Sequence, residues 1–203
     1  MGFYSSYVLP RLINVVMNNE QTESNRAQWV PLATGRVLEV GIGSGLNLPF
    51  YGPDIEALIG LDPSGELWRL GQHRIEAAPF PVERLGHSAE RMPLEDDSFD
   101  TVVTTWTLCS IPDAGAALRE MRRVLKPSGR LIFIEHGLAP ETGVQTWQNR
   151  LNPFWKRVAG GCNINRKIDA LMSAAQFRIT QLETGYLKGP KPMSFHYKGI
   201  ATP

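Results

Sequence analysis

Three glycines within residues 38–51, which read LEVGIGSGLNLPFY, have the spacing of a nucleotide-binding loop. Gly41, Gly43 and Gly45 lack a Cβ, so the backbone there can turn sharply from strand to helix and approach a ligand closely. A dinucleotide fingerprint requires G-x-G-x-x-G, whereas here the third glycine comes one residue early and Leu46 follows it. This argues against a nicotinamide dinucleotide. Alternatively, the three glycines form a tight turn that packs the strand on the helix and binds no ligand.

A second candidate for cofactor binding is Asp62, which lies 21 residues after Gly41 and ends another β-prone run. A carboxylate in that position can accept both hydroxyl hydrogens of a ribose. Alternatively, Asp62-Pro63-Ser64 starts a helix, with Ser64 as its cap. The spacing from the glycine loop favours ribose binding.

The elements that would position these residues alternate along the chain. Short apolar runs at 36–40, 57–61, 82–85, 101–107 and 130–135 predict strands, and Leu118, Met121 and Leu125 recur at helical spacing within 114–125. Residues 126–129, KPSG, are expected to end that helix in a turn. Runs at 177–187 and 194–201 predict an antiparallel C-terminal strand pair. The pattern predicts an α/β fold: a Rossmann-like, mostly parallel seven-stranded sheet with helices on both faces, whose ligands bind beyond the carboxyl ends of the strands.

The composition limits the kinds of partner that the protein is expected to bind. The 203 residues are enough for one domain, and 21 Lys and Arg against 20 Asp and Glu leave no basic field for nucleic acid. The two cysteines, Cys109 and Cys162, are too few to form a metal site alone, so no metal is expected and reduced thiols in the cytoplasm are the default. No run approaches the roughly 20 apolar residues that span a bilayer.

The N-terminal segment 4–17, YSSYVLPRLINVVM, is expected to form a helix interrupted at Pro10. Its apolar residues Val8, Leu12, Val15 and Val16 share one face. That face could pack on the core, cover a bound ligand or touch a membrane surface. A core or lid role is favoured, and peripheral membrane contact remains open.

Further motifs follow in a fixed order. Glu39 opens E-V-G-I-G-S-G; G-H-S-A-E occupies 86–90, D-S-F-D occupies 97–100, and R-R-V-L-K-P-S-G-R-L occupies 122–131. Residues 37–133 therefore resemble a class I S-adenosylmethionine-dependent methyltransferase of type 11. The resemblance implies an enzyme with S-adenosylmethionine as cofactor. It places the glycines under the methionine part, Asp62 at the ribose and Ser88 and Ala89 beside the adenine; many relatives carry an acid at the Ser88 position. It also puts Thr105 near the amino acid end. The cofactor set implied is Glu39, Gly41, Gly43, Gly45, Asn47, Asp62, Pro63, Ser88, Ala89, Glu90 and Thr105.

A narrower resemblance covers the rest of the chain. L-C-S at 108–110, E-H at 135–136, N-P-F-W-K at 152–156 and G-C-x3-R at 161–166 are similar to the methyltransferase-like seven group, the alkyl-thiol methyltransferases of animals, and to its bacterial relatives. Asn47 and P-F-Y at 49–51 resemble the same group. The resemblance implies a small-molecule methyl acceptor, with a thiol sulfur favoured. An oxygen or nitrogen acceptor, including a lipid head group, and a cofactor-binding protein without catalysis are the alternatives.

Several side chains are candidates for the acceptor side. His136 could accept a proton or orient the acceptor, or hydrogen-bond a loop backbone instead. Cys109 could line the pocket or be a small core residue. Glu135 could steady the cofactor's sulfonium or pair with Arg166. The aromatic residues of the following helix could cover the pocket or pack in the core; they are Trp147, Phe154 and Trp155.

The expected organisation is a single methyltransferase domain over residues 1–203. An N-terminal helical cap would occupy 1–33, the cofactor-binding core 34–136, a substrate-side helical segment 137–176 and the C-terminal β pair 177–203. The sequence makes no prediction of oligomeric state.

Overall fold

A computed structural model describes residues 8–203. Their centre is a seven-stranded sheet in the order β3-β2-β1-β4-β5-β7-β6. The strands are β1 (Gly35–Val40), β2 (Ile55–Leu61), β3 (Val82–Leu85), β4 (Phe99–Thr105), β5 (Leu125–His136), β6 (Arg178–Tyr186) and β7 (Phe195–Thr202). The first five are parallel, whereas β7 runs antiparallel to both β5 and β6. The mostly parallel sheet and its antiparallel C-terminal pair are confirmed.

Helices cover both faces of this sheet. They are α1 (Leu9–Val16), α2 (Glu20–Trp29), α3 (Gly65–Leu70), α4 (Gln72–Glu76), α5 (Ala114–Val124), α6 (Thr142–Val158), α7 (Ile168–Ala174) and α8 (Lys191–Ser194). One apolar core includes Leu118 of α5 and Met172 of α7, and the other includes Trp29 of α2. Two buried cores explain why the central strands read as continuous apolar runs rather than alternating ones.

The end of β4 and the start of β5 differ from the sequence expectation. β4 ends at Thr105 instead of 107, because Trp106 has a φ of 49°, which an extended strand does not accommodate. β5 starts at Leu125, directly after α5, so the expected turn at 126–129 is wrong. Phe99 pairs with Leu125 and Thr101 with Arg130, so the four residues between bulge out of the ladder without ending the strand.

The segment after the glycine loop also differs. The chain forms a single 3₁₀ turn, Leu48–Phe50, where the sequence predicted a strand-to-helix connection. Pro49 lies in its first turn, and extended backbone at Tyr51 ends it.

The N-terminal helix differs in where its proline lies and in which face is covered. Pro10 lies in the first turn of α1, where the missing N–H has no helical partner to lose, so it does not interrupt the helix. Its face with Val8, Leu12, Val15 and Val16, for which a core or lid role was favoured, is exposed. α1 packs against the rest of the protein with its opposite apolar face. Residues 4–7 of the predicted segment lie outside the described residues. Over residues 8–203, no helix has the length and apolar character needed to cross a membrane.

Candidate functional site

A cavity of about 400 Å³ opens at the carboxyl ends of β1, β2 and β4. This is the edge at which the alternating pattern of strands and helices predicts a ligand. Nine of the eleven residues expected to bind the cofactor line it: Glu39, Gly41, Gly43, Asn47, Asp62, Pro63, Ser88, Ala89 and Thr105. The cavity therefore brings together residues from four separate segments of the sequence.

The carboxylate of Asp62 links the glycine loop to the end of β2 through hydrogen bonds. Its Oδ2 accepts the backbone N–H of Gly43 at 3.0 Å, and its Oδ1 accepts that of Ser64 at 2.7 Å. Ser64 in turn accepts the N–H of Leu67 and caps α3, so the helix-start interpretation of this turn is correct. Burial raises the pKa of Asp62, an effect that the two N–H groups oppose.

Glu39 is buried at the centre of a hydrogen-bond network. Its Oε1 accepts from Asn47 Nδ2 at 2.9 Å and its Oε2 from the hydroxyl of Tyr51 at 2.8 Å. The same Asn47 nitrogen donates to Thr105 Oγ1 at 3.0 Å. Burial raises the pKa of Glu39 to about 7, although its hydrogen bonds and nearby Arg26 favour the ionised form.

Arg26 connects α2 to the same network. Its Nε donates to Asn47 Oδ1 at 2.9 Å, and its guanidinium lies 4.9 Å from the ring centre of Trp106. Burial lowers the pKa of Arg26 to about 10, and Glu39 opposes that shift. The indole of Trp106 donates to His196 Nε2 at 2.9 Å.

Several lining residues were not predicted from the sequence. Leu9, Pro10, Ile13, Asn14 and Met17 bring α1 over the cavity. Asn14 Oδ1 accepts the hydroxyl of Ser44 in the glycine loop at 2.6 Å. The rest of the lining outside the predicted cofactor set is Arg26, Val40, Ile42, Ser44, Leu46, Leu61, Ser64, Leu67, Trp106, Thr107, Ser110, Ile111, Pro112 and Gly160. The apolar positions of α1 opposite Val8 and Val15 were the only signal that could have located this cover.

Two residues expected at the cofactor do not line the cavity. A Cβ at Gly45 would lie 2.8 Å from Leu48, so this glycine allows the 3₁₀ turn to pack against the loop. Glu90 accepts the hydroxyl of Ser88 at 2.9 Å and the backbone N–H of Asp113 at 2.7 Å. Gly45 and Glu90 therefore stabilise the segments that form the cavity wall without facing the cavity themselves.

The residues expected on the acceptor side form a separate group beside the cavity. His136 Nε2 lies 3.1 Å from Cys162 Sγ, and the indole of Trp155 donates to the same sulfur at 3.3 Å. The donor atoms of Cys109, His136 and Cys162 lie within 4.8 Å of one another. Trp147 is not part of this group, because its side chain is 56% exposed on α6.

Glu135 hydrogen-bonds the segment that follows β4 and does not pair with Arg166. Its Oε1 accepts the backbone N–H groups of Thr107 and Leu108, both at 3.1 Å, and the hydroxyl of Thr104 at 3.0 Å. Arg166 instead donates to the carbonyl groups of Leu108 and Pro112. Burial raises the pKa of Glu135. This residue therefore shapes the turn after β4, and it forms no ion pair with Arg166, which was one of its two possible roles.

The residues that line the cavity suit S-adenosylmethionine chemically. A Cβ added at Gly43 would make only ordinary van der Waals contacts, with its nearest atoms 3.9 Å away in Gly41 and Leu67, two residues of the lining. Asp62 has lone pairs beyond the two that accept N–H groups, as a carboxylate offers about four acceptor positions. Backbone that can be approached closely, next to a free carboxylate edge, suits a nucleoside with a ribose diol.

Comparison with known proteins decides the family. Residues 38–133 match the family model described as a methyltransferase domain. The chain is 34% identical to thiol S-methyltransferase TMT1B of Homo sapiens over 80% of its own length and 67% of the relative's, and 33% identical to thiol S-methyltransferase TMT1A of Homo sapiens over 83% and 73%. The chain belongs to the methyltransferase family of these relatives. S-adenosylmethionine is the methyl donor that this membership implies.

Other comparisons agree on the fold of this methyltransferase. A SAM-dependent methyltransferase from Aquifex aeolicus has a TM-score of 0.64 at 17% identity, over 95% of this chain and 97% of that one. With thiol S-methyltransferase TMT1B of Rattus norvegicus the identity is 36% over 72% of this chain, and the match spans 62% of the relative's length. The methyltransferase thus matches about two thirds of the length of its thiol S-methyltransferase relatives.

Proposed function

We propose that this methyltransferase transfers the methyl group of S-adenosylmethionine to the sulfur of a small thiol. One observation carries the proposal: among the lining residues that the structure describes, the ionisable side chains are Arg26, Glu39 and Asp62, and each is already engaged in hydrogen bonds. With the remaining acceptor positions of Asp62 assigned to the ribose of the donor and Glu39 held by Asn47 and Tyr51, the site offers a methyl acceptor no free general base. A thiol needs less help than an alcohol or an amide to become a nucleophile.

The energetics favour a thiol. With a pKa of about 8.5, a thiol is already a few per cent thiolate at neutral pH, and full ionisation costs only about 2 kcal/mol. Holding two reactants in register can supply about 7 to 11 kcal/mol. A shaped, dry pocket is therefore sufficient for this acceptor. Leu9, Pro10 and Ile13 of α1 and Ile111 and Pro112 after β4 give the cavity apolar walls of this kind.

The roles of the lining residues are part of the proposal. Asp62 would bind the ribose hydroxyls of the donor, Ser88 and Ala89 would flank its adenine, and the Gly41 to Gly43 backbone would pass under its methionine part. Thr105 and Asn47 would meet the amino acid end through the network of Glu39.

We extend the proposal to the organisation of the chain. Residues 1–33 would form a cap, 34–136 the cofactor-binding core, 137–176 the substrate-side segment and 177–203 the C-terminal β pair. The cap assignment is supported by α1, whose residues line the cavity and whose Asn14 bonds the glycine loop.

Incubation with S-adenosylmethionine labelled in its methyl group, and with a panel of thiols, phenols and amines, tests the function. We expect a labelled thioether from at least one small apolar thiol. Methylation of a phenol or amine with no turnover of any thiol would contradict the sulfur acceptor. Calorimetric binding of S-adenosylhomocysteine without methylation of any acceptor would support the non-catalytic alternative instead.

A further inference from the structure

Two cysteines and a histidine from distant parts of the chain meet beside the cavity. Cys109 follows β4, His136 ends β5, and Cys162 follows α6. One ligand atom from each lies within 4.8 Å of the other two, and Cys162 Sγ is 3.1 Å from His136 Nε2. Two cysteines alone are too few ligands for a metal site. The fold brings His136 beside them as a third ligand.

Hydrogen bonds hold this group in place. The backbone N–H and the side-chain amide of Asn163 both donate to the carbonyl of Cys109 at 2.9 Å, so the segments that carry the two cysteines are tied together. The indole of Trp155 donates to Cys162 Sγ at 3.3 Å. Cys109 is only 2% exposed and His136 only 9%. The three ligand atoms are therefore pre-positioned in a largely dry environment.

We propose that Cys109, His136 and Cys162 bind one zinc ion through two thiolates and one imidazole nitrogen. Typical Zn–S and Zn–N lengths imply separations of about 3.5 to 3.8 Å between ligand atoms in a tetrahedral site. The observed separations need to change by only about 1 Å to meet that geometry. Two thiolates, a neutral imidazole and Zn²⁺ have no net charge, which limits the cost of burying the ion.

The fourth coordination position is open to a ligand from outside the chain. Within residues 8–203, no further His, Cys, Asp or Glu joins the group. His196 is the nearest ring, with its centre 6.2 Å from that of His136, but both of its nitrogens are engaged, one by the Trp106 indole and one by the Ser194 carbonyl. Three protein ligands and one open position are the arrangement of reactive rather than structural zinc sites.

The position of the site suggests what occupies the open position. Cys109 Sγ lies 3.5 Å from the hydroxyl of Ser110, which lines the cavity, and Cys162 follows the lining residue Gly160 by two positions. Resting on the proposed function, we assign the position to the acceptor thiol. Its S–H bond breaks and the proton goes to solvent; the sulfur lone pair then forms the bond to the methyl carbon, and the electrons of the donor's sulfonium–carbon bond remain on the donor sulfur.

Metal titration of the full chain tests the site without relying on activity. Protein that has been reduced and freed of metal is titrated with Co²⁺ alone, as an optical substitute for zinc, and then with Zn²⁺ in competition. We expect one equivalent of Co²⁺ with a thiolate-to-metal charge-transfer band, displaced by one equivalent of Zn²⁺. Cys162→Ser and His136→Ala should each weaken zinc binding by more than about 100-fold, because even outer partners of a metal ligand contribute about 10- to 100-fold.

Two further variants keep the test decisive if a ligand variant misfolds. Trp155→Phe removes only the hydrogen bond to Cys162 and should weaken zinc binding by about 10-fold or more. His73→Gln replaces an exposed histidine of α4 and should bind like the wild type. Absence of the charge-transfer band in the wild type, or equal zinc affinity in Cys162→Ser and the wild type, would overturn the site.

The metal site and the proposed function can fail separately. Thiol methylation that persists unchanged after zinc removal would overturn the role in acceptor binding and leave the thiol methyltransferase intact. Stoichiometric zinc binding through these residues, with no thiol methylated, would support the site and contradict the function.

Discussion

The carboxylate of Asp62 accepts the backbone N–H of Gly43 at 3.0 Å, a contact between residues nineteen positions apart. The acid at the end of β2 therefore sets the shape of the loop that follows β1. Its other oxygen fixes the start of α3 through Ser64. The distance between glycine loop and acid along the chain, noticed in the sequence as a cofactor signature, corresponds to a direct bond that organises the site before any ligand binds.

Asp62→Ala should weaken S-adenosylhomocysteine binding by roughly 1.5 to 3 kcal/mol, the range for hydrogen bonds to a charged group. The loss of two N–H partners should also lower the free energy of unfolding, because Gly43 and Ser64 are left without their acceptor. Calorimetry measures the first effect and urea unfolding the second. Asp54→Ala, at an exposed position next to β2, is the control. An unchanged affinity in Asp62→Ala would show that the ribose assignment is incorrect.

Replacing Gly41 or Gly43 by alanine should distinguish an effect on stability from an effect on cofactor binding. At Gly41, with a φ of 79°, a Cβ would overlap the side chain of Thr107, so Gly41→Ala should be strongly destabilising. At Gly43 the Cβ has space, and the φ of 55° costs only about 1 to 2 kcal/mol.

Gly43→Ala should nevertheless weaken S-adenosylhomocysteine binding by at least about 10-fold, since its methyl group enters the space between the loop and Leu67. Thermal unfolding and calorimetry on both variants provide the comparison. Normal cofactor affinity in a folded Gly43→Ala would place the donor elsewhere in the cavity.

The mostly parallel sheet with its antiparallel C-terminal pair, and nine of the residues that line the cavity, could be predicted because their signals are local. Glycines after a strand, an acid after the next strand and alternating apolar runs each report on a few neighbouring residues. The bulge at 126–129 could not be predicted, since Lys-Pro-Ser-Gly is typical of a turn and only pairing with β4 keeps it in the strand. Here tertiary pairing outweighs local preference.

The acceptor side was less predictable for a similar reason. Cys109, His136 and Cys162 are separated by more than twenty residues at each step, and no spacing rule joins them. Their meeting depends on where α6 returns to the sheet, which the Asn163 contact to Cys109 fixes. Likewise, α1 has apolar residues on both faces, so the sequence alone could not decide which face covers the cavity.

Glu39 should make the protein less stable as the pH rises. Its folded-state pKa of about 7 lies above the ordinary value of 4.5, so its contribution to stability is complete below pH 4.5 and is lost as the pH passes through 7. The loss approaches about 3 kcal/mol at alkaline pH, at roughly 1.36 kcal/mol per pKa unit. Glu39→Gln keeps the size of the side chain and cannot ionise.

Urea unfolding without cofactor, at intervals from pH 4.5 to 8.5, compares this variant with the wild type. We expect Glu39→Gln to gain stability relative to the wild type across that range, while Glu56→Gln, at an exposed position of β2, follows the wild type. A constant difference between Glu39→Gln and the wild type would mean that Glu39 is ionised throughout.

His196 should produce the opposite trend in nearly the same pH range. Its Nε2 accepts the Trp106 indole, so its Nδ1 carries the proton and donates to the Ser194 carbonyl at 2.8 Å. Burial is the main cause that lowers the pKa of this ring to about 4, and the nearby charges of His136 and Lys198 act in the same direction. Its contribution to stability is therefore present above pH 6.5 and is lost as the pH falls through 4.

In the wild type this loss offsets the gain from Glu39 on acidification, so only single variants reveal either effect. Between pH 7 and pH 4, His196→Gln should become more stable relative to the wild type by on the order of 2 to 3 kcal/mol, because it has no ring to protonate. The exposed-site variant His73→Gln should not. If His196→Gln and the wild type lose stability equally on acidification, the imidazole has the same pKa in the folded and unfolded protein, and burial does not lower it.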